Sequence, residues 1–268
     1  VVLQSLFLSL LVLAASASPR IIILGYHEVE KDGLPAHPVI PRELAAAPTE
    51  DEMSRYTVST ENFRQQLDAL TANGYSVIAL ADVVDYLAGR RASLPPRCAV
   101  ITVDDGWRSV AADIADELTV REWPFTVFIY PRVIGNSHHP YNLTWAEVEE
   151  VQDEGADIES HTYSHPFLSR VRHAATSDQA YHEFLDEELR ESCEIITAHT
   201  DRTVQFLAYP YGDYDKEVEA AAKAEGYSAA VTVTPGLVTK NSDRFALPRY
   251  MVRHDTTMKQ FEGWLQGP

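Results

Sequence analysis

The chain has 268 residues, 45% of them hydrophobic, enough for one sizeable core. Its formal charge is -18, from 40 acidic against 22 basic side chains. That imbalance excludes nucleic acid and anionic lipid as partners, because both need clustered Lys and Arg; a neutral or cationic substrate fits better, and the acidity also serves solubility.

Residues 1–18 carry no charge, are rich in Leu and contain Ala15-Ser16-Ala17, a small-residue site of the kind signal peptidase cleaves. They read as a signal peptide truncated at its start, without initiator Met or basic flank, and an uncleaved anchor is the alternative. The expected location is therefore secreted, periplasmic or associated with the cell envelope, and that anchor is the one membrane contact expected. Residues 19–268 are expected to form a single domain.

From residue 20 on, short apolar runs alternate with amphipathic helical segments, the pattern of β-α units around a mainly parallel sheet. Strands are predicted at 20–26, 98–103, 125–130, 157–160, 204–209 and 228–233. Phe63, Leu67 and Leu70 recur at helical spacing behind a Ser59-Thr60 start signal, and Thr144 with Glu147 makes a capping box before another helix. Further helices are predicted at 108–118, 183–198, 216–224 and 257–265. Residues 28–56, rich in Pro and Ala and without periodicity, read as a surface loop, either substrate-lining or a mobile insertion. Cys98 opens a strand and Cys193 sits in a helix, where buried thiols are common, so two free cysteines are preferred over a disulfide.

In such a fold, reacting groups gather where strands end. Gly25-Tyr26-His27-Glu28-Val29 closes the first strand, and an imidazole there serves either as a general acid or as a hydrogen-bonded structural group. Asp104-Asp105-Gly106 follows the run 98–103; one carboxylate can bind a cation while the other faces a water, although the same tripeptide is a common turn. His161 and His165, four positions apart after the strand at 157–160, can converge on one metal ion or be unrelated side chains, and Pro166 keeps the turn from becoming a helix. Ala208-Tyr209-Pro210-Tyr211-Gly212 is a rigid turn that either holds the Tyr211 N–H toward a cavity or is an ordinary aromatic turn. Trp107 packs near a substrate or in the core. His37, His138, His139, His173, His182, His199 and His254 have no partner spacing and read as solvated.

Taken jointly and in this order, TVDDG, HTYSH and AYPYG resemble the three motifs of the polysaccharide deacetylases of carbohydrate esterase family 4, which share the NodB homology domain. The likeness runs over residues 20–250. The early GYHEV, the turn FLAYPYGDY and the late LPRY resemble the PgaB/IcaB branch, which acts on poly-β-1,6-N-acetylglucosamine and carries its catalytic His near the N-terminus. The resemblance implies an α/β fold, a distorted (β/α) barrel of the NodB type, with residues 19–268 as the catalytic domain. It implies that Asp105, His161 and His165 hold one divalent metal ion, zinc first, with cobalt, nickel or iron as alternatives. Asp104 would be the general base, His27 the general acid, and the Tyr211 N–H an oxyanion donor. The Arg that supports the base elsewhere in the family is replaced by Ala208, and the LPRY likeness makes Arg249 the candidate substitute, against the default of a solvated surface Arg. The implied function is metal-dependent hydrolysis of N-acetyl groups on an extracellular amino-sugar polysaccharide, poly-β-1,6-N-acetyl-D-glucosamine first, with release of acetate. Chitin, peptidoglycan or O-acetyl xylan are alternative substrates, and a non-catalytic glycan-binding module is the alternative role. An acetylated polysaccharide is the expected partner and a monomer the expected state.

Overall fold

Uninterrupted runs of Ile, Val and Leu belong in strands covered on both faces, the environment of a parallel sheet wrapped by helices. Residues 21–24 are such a run and 98–101, Cys-Ala-Val-Ile, are apolar throughout; all of them are buried. In the computed structural model, which describes residues 18–31 and 55–267, these runs form two adjacent strands of a curled parallel sheet. The strands are β1 (Arg20–Tyr26), β2 (Glu28–Glu30), β3 (Thr57–Ser59), β4 (Ser76–Val77), β5 (Arg97–Asp104), β6 (Phe125–Ile129), β7 (Ala156–Ser160), β8 (Phe206–Ala208), β9 (Ala229–Val231) and β10 (Tyr250–Met251). The helices are α1 (Thr60–Ala72), α2 (Leu80–Leu87), α3 (Ala115–Thr119), α4 (Trp145–Asp153), α5 (Asp178–Thr200), α6 (Lys216–Ala224) and α7 (Met258–Gln266). The main sheet has the order β10-β1-β5-β6-β7-β8-β9, with β4 beside the start of β5, while β2 and β3 pair separately. This is the expected α/β barrel-like fold.

Residues 247–251 bridge the two edges of the curl. Leu247 pairs with Val231 at the end of β9, and Tyr250 and Met251 pair with Leu24 and Gly25 of β1. The segment approaches so closely that a Cβ on Gly25 would lie 2.5 Å from the Met251 sulfur, so only glycine fits there without movement.

Alternation along each strand sorts side chains into two clusters. Ile21, Ile23, Cys98, Val100, Phe128, Phe206, Ala208, Ala229, Val231 and Leu247 face inward, and α2 packs against them through Leu80, Val83 and Val84, with Ile78 just before it. Ile22, Leu24, Ala99, Ile101, Val103 and Val127 face outward against the other helices. The same parity carries Thr102 and Asp104 inward with Cys98 and Val100, so the position of Asp104 follows from the strand register.

Several boundaries differ from the sequence expectation. The predicted helix at 108–118 is a wide turn over Val110–Ile114 that leads into the short α3. Helix α5 starts earlier than 183, behind the Ser177 cap, and ends at Asp201 in left-handed geometry. The strands predicted at 204–209 and 228–233 shorten to three residues each, because pairing ends where the adjoining turns begin. Helix α2 was not anticipated, since Ala79 offers no side-chain cap. Of the stretch expected as a loop, residues 28–30 form β2; residues 32–54, and the leader-like residues 1–17, lie outside the described residues. Cys98 and Cys193 are free thiols. Among the described residues no helix is long and apolar enough to cross a membrane.

Candidate metal centre and active site

Strand β5 ends at Asp104, and the next two residues turn left-handed, Asp105 with φ 75 and Gly106 with φ 66. The turn swings the Asp105 carboxylate out of the strand path toward β7. Trp107 fixes it there, its Nε1 donating to Asp105 Oδ2 at 3.2 Å, while Asn142 Nδ2 donates to the Asp105 carbonyl at 3.1 Å. The alternatives left open for Trp107 thus resolve toward a buried ring that orients Asp105. The other carboxylate oxygen, Asp105 Oδ1, is buried without a hydrogen-bond partner.

His161 directly follows β7, and its Nδ1 lies 2.7 Å from the Ala208 carbonyl. A carbonyl only accepts, so Nδ1 carries the proton and Nε2 presents its lone pair. His165, with φ 60, returns its Nε2 to within 3.1 Å of His161 Nε2. Asp105 Oδ1 lies 3.6 Å from His161 Nε2 and 3.5 Å from His165 Nε2. Burial, reinforced by the neighbouring His165, pushes the His161 pKa down to about 4, with Asp104, Asp105 and the Ala208 carbonyl opposing. Burial, with His27 next, pushes His165 down to about 3. Both imidazoles are therefore neutral at pH 7, the state in which they ligate metals. Two neutral nitrogens and an otherwise orphaned carboxylate oxygen, mutually within 4.8 Å, fit a divalent cation.

Asp104 stands beside this group with a separate partner. Arg249, brought inward by the bridging segment, donates from Nη1 to Asp104 Oδ1 and from Nη2 to Oδ2, each at 2.7 Å. The same guanidinium donates to Thr102 Oγ1 and, through Nε, to the Thr232 carbonyl, both at 2.9 Å. Arg249 is 0% exposed, so the default of a solvated Arg is excluded. Burial alone would raise the Asp104 pKa; the Arg249 charge and hydrogen bonds, with His161 and His27 behind them, hold it well below the usual carboxylate range.

His27 follows β1 with its ring against Tyr56, centroids 4.3 Å apart, and its Nδ1 is buried without a hydrogen-bond partner. It lies near enough to Asp104 and His165 for its charge to act on both. Tyr211 sits in the turn after β8 with φ 58, its ring stacked on Phe167 at 3.9 Å and edge-on to His165 at 4.6 Å. Six described non-glycine residues have positive φ, and four of them, Asp105, Thr162, His165 and Tyr211, belong to this site. Backbone strain concentrated in this way marks a functional site.

Sequence reasoning missed Tyr130, whose ring lies 5.1 Å from His165. The signal was present, a polar aromatic ending the apolar run of β6. His199, read as a solvated side chain, is exposed, and its ring stacks on Trp145 at 3.8 Å.

Residues 91–230, just over half of the chain, match the family model described as Polysaccharide deacetylase. The Bacillus subtilis (strain 168) protein YxkH is 26% identical over 209 residues, covering 78% of this chain and 70% of its own. A Staphylococcus epidermidis poly-beta-1,6-N-acetyl-D-glucosamine N-deacetylase is 24% identical over 219 residues, covering 80% of this chain and 75% of its own. The structure of the Streptococcus pyogenes deacetylase PplD superposes with a TM-score of 0.74 at 19% identity, over 94% of this chain and all of that one, and so shares the fold. A family match over more than half its length, on a fold held in common with solved deacetylases, makes the chain a member of the polysaccharide deacetylase family and a hydrolase of linear amides.

Proposed function

We propose that the protein removes N-acetyl groups from poly-β-1,6-N-acetyl-D-glucosamine, releasing acetate and leaving glucosamine units in the polymer. The observation that carries this reading is the Asp104–Arg249 pair beside Asp105, His161 and His165: an ionised carboxylate next to a ligand set it does not belong to. Relatives named for that substrate, from two Staphylococcus species, align with most of the chain and support the choice of polymer. An extracellular polymer also suits the leader-like residues 1–18.

In this reading Asp105, His161 and His165 hold one divalent cation, zinc first. When bound, such an ion supplies Lewis-acid polarisation of the acetyl carbonyl and eases deprotonation of water. Asp104 takes a proton from the attacking water at a carboxylate oxygen. Arg249 keeps that carboxylate ionised and aimed, at some cost in basicity. The Tyr211 N–H donates to the carbonyl oxygen as negative charge develops there. His27 protonates the amide nitrogen as the C–N bond breaks, so that acetate and a free amine are the products.

The test is acetate release by the full chain from a panel of acetylated glycans: β-1,6 and β-1,4 oligomers of N-acetylglucosamine, peptidoglycan and acetyl xylan. The expected outcome is the highest kcat/KM on the β-1,6 oligomers, loss of activity with a chelator and recovery with zinc, cobalt or nickel. Preference for any other member of the panel would overturn the substrate assignment.

A further inference from the structure

The segment 161–170 carries both imidazoles and runs on to Phe167, and two carboxylates from outside the segment grip it in the same manner. On one side Glu188 of α5, only 5% exposed, accepts from the Ser164 N–H at 2.8 Å and from the Ser164 hydroxyl at 2.5 Å. The backbone joins in, with the Tyr163 N–H donating to the Glu188 carbonyl at 2.9 Å. On the other side Asp213 accepts from the Ser169 N–H at 2.7 Å and from the Ser169 hydroxyl at 2.8 Å, with the Arg170 N–H at 3.3 Å. Each clamp is one carboxylate closed on the N–H and hydroxyl of a single serine, a two-point grip that fixes both position and direction.

His165 lies between the clamped serines. Its φ of 60 and the φ of 66 at Thr162 are conformations that L residues avoid, and they persist only where the surroundings impose them. Neither carboxylate belongs to the donor group of Asp105, His161 and His165. Asp213 also stands two residues after Tyr211, whose ring stacks on Phe167 of the clamped segment. It therefore ties the turn bearing the Tyr211 N–H to the segment bearing the imidazoles.

We propose that Glu188 and Asp213 are positioning residues with separate tasks. Glu188 holds His161 and His165 at coordinating separation; Asp213 holds the Tyr211 turn in register with them. The second task rests on the oxyanion role proposed above for Tyr211, while the first does not depend on any substrate.

Cobalt titration of the metal-free full chain, followed by the visible absorption of the bound ion, separates the two. Glu188→Gln replaces the charged acceptor by a neutral amide and reverses the bond to the Ser164 hydroxyl, and is expected to weaken cobalt binding about tenfold or more, the scale of lost outer contacts at metal sites. Ser164→Ala removes only the hydroxyl contact and should weaken binding in the same direction, whereas Ser164→Thr, which keeps both donors, should restore it. Asp213→Asn is expected to leave cobalt affinity within about threefold while lowering kcat about tenfold, with KM little changed, on whichever glycan the parent hydrolyses. Near-ultraviolet circular dichroism checks that each variant is folded, and Ser164→Ala serves if Glu188→Gln is not. Parental cobalt affinity in Ser164→Ala and in folded Glu188→Gln would overturn the first task. An Asp213→Asn variant that loses cobalt as Glu188→Gln does, or keeps the parental kcat, would overturn the second. If the parent turns over a glycan other than the β-1,6 polymer, the substrate reading fails and both clamps are judged as before.

Discussion

Arg249 and Asp104, 145 positions apart in the chain, meet in a buried two-pronged ion pair with both N–O distances at 2.7 Å. The pair exists because residues 247–251 bridge β9 to β1 and deliver the guanidinium to the inward face of β5. Burying two charges is costly unless the geometry is good and the remaining donors are satisfied. Here Thr102 and the Thr232 carbonyl take further guanidinium hydrogens.

Removing Arg249 therefore does more than delete a contact. In Arg249→Ala the buried carboxylate loses its partner, and burial then raises the Asp104 pKa. Stability is expected to fall by about 3–5 kcal/mol, the scale for breaking one side of a buried pair. The kcat on an acetylated glycan should drop by about 100-fold or more. Arg249→Lys restores the charge without the planar fork and should recover only part of either loss. Urea unfolding and steady-state kinetics read the two effects; losses no larger than those of the exposed Arg90→Ala would remove Arg249 from the site's machinery.

The two adjacent carboxylates are expected to separate cleanly. Asp104→Asn keeps the shape but cannot accept the proton, so kcat should fall about 100- to 10,000-fold while zinc affinity stays near the parental value. Asp105→Ala removes a member of the ligand group, and zinc binding by calorimetry should weaken sharply with activity lost in parallel. Retained zinc affinity and retained turnover in Asp105→Ala would defeat the metal assignment.

The sequence was most informative where chemistry sits at strand ends. The grouping of Asp105, His161 and His165 was readable through the resemblance of TVDDG and HTYSH to the family motifs, and the parallel pairing of β5, β6 and β7 is what brings those strand ends together. Arg249 was readable only through the LPRY likeness, since nothing local tells a bridging segment from a surface turn. The strands at 57–59, 76–77 and 250–251 were not readable, because two or three residues carry no periodicity and their pairing is imposed by closure of the sheet. Helix α2 had apolar residues at helical spacing, Leu80, Val83, Val84 and Leu87, but no capping side chain to announce it. Glu188 gave no signal at all: in sequence it is one acid among Glu183, Asp186, Glu187 and Glu191 on a helix.

The metal-free protein should lose stability as pH falls from 7 toward 4. Unfolded, His161 and His165 take up protons near their ordinary pKa of about 6.5. Folded, burial delays protonation until about 4 and about 3. Between these limits the unfolded state binds more protons, so stability rises with pH across the window and falls on acidification. Asp104, also depressed in the folded protein, adds its loss at lower pH, below the ordinary carboxylate value. The Tm measured in chelator at pH 7, 6, 5 and 4 should decline stepwise, and less steeply in His161→Gln. A flat profile in the parent would mean that the two imidazoles are not held neutral. Added zinc should raise Tm most at neutral pH, because protons compete for the same nitrogens.

Gly106 gives a sharper test of how tightly the turn after β5 controls the site. Its φ of 66 is open to glycine and poor for alanine, a penalty of roughly 1–2 kcal/mol. A Cβ there would also stand 2.9 Å from the side chains of both Ile129 and Ile134. Relief by moving the backbone would drag Asp105 away from His161 and His165, since the two residues share one left-handed turn and Leu143 N–H is bonded to the Gly106 carbonyl at 2.9 Å. Gly106→Ala should therefore lower both Tm and zinc affinity. Adding Ile134→Val deletes the Cδ1 that would clash and should recover part of the loss, while the φ penalty and the Ile129 contact remain. Parental Tm and zinc affinity in Gly106→Ala would show that the turn tolerates a side chain and that Asp105 is placed by something other than this backbone geometry.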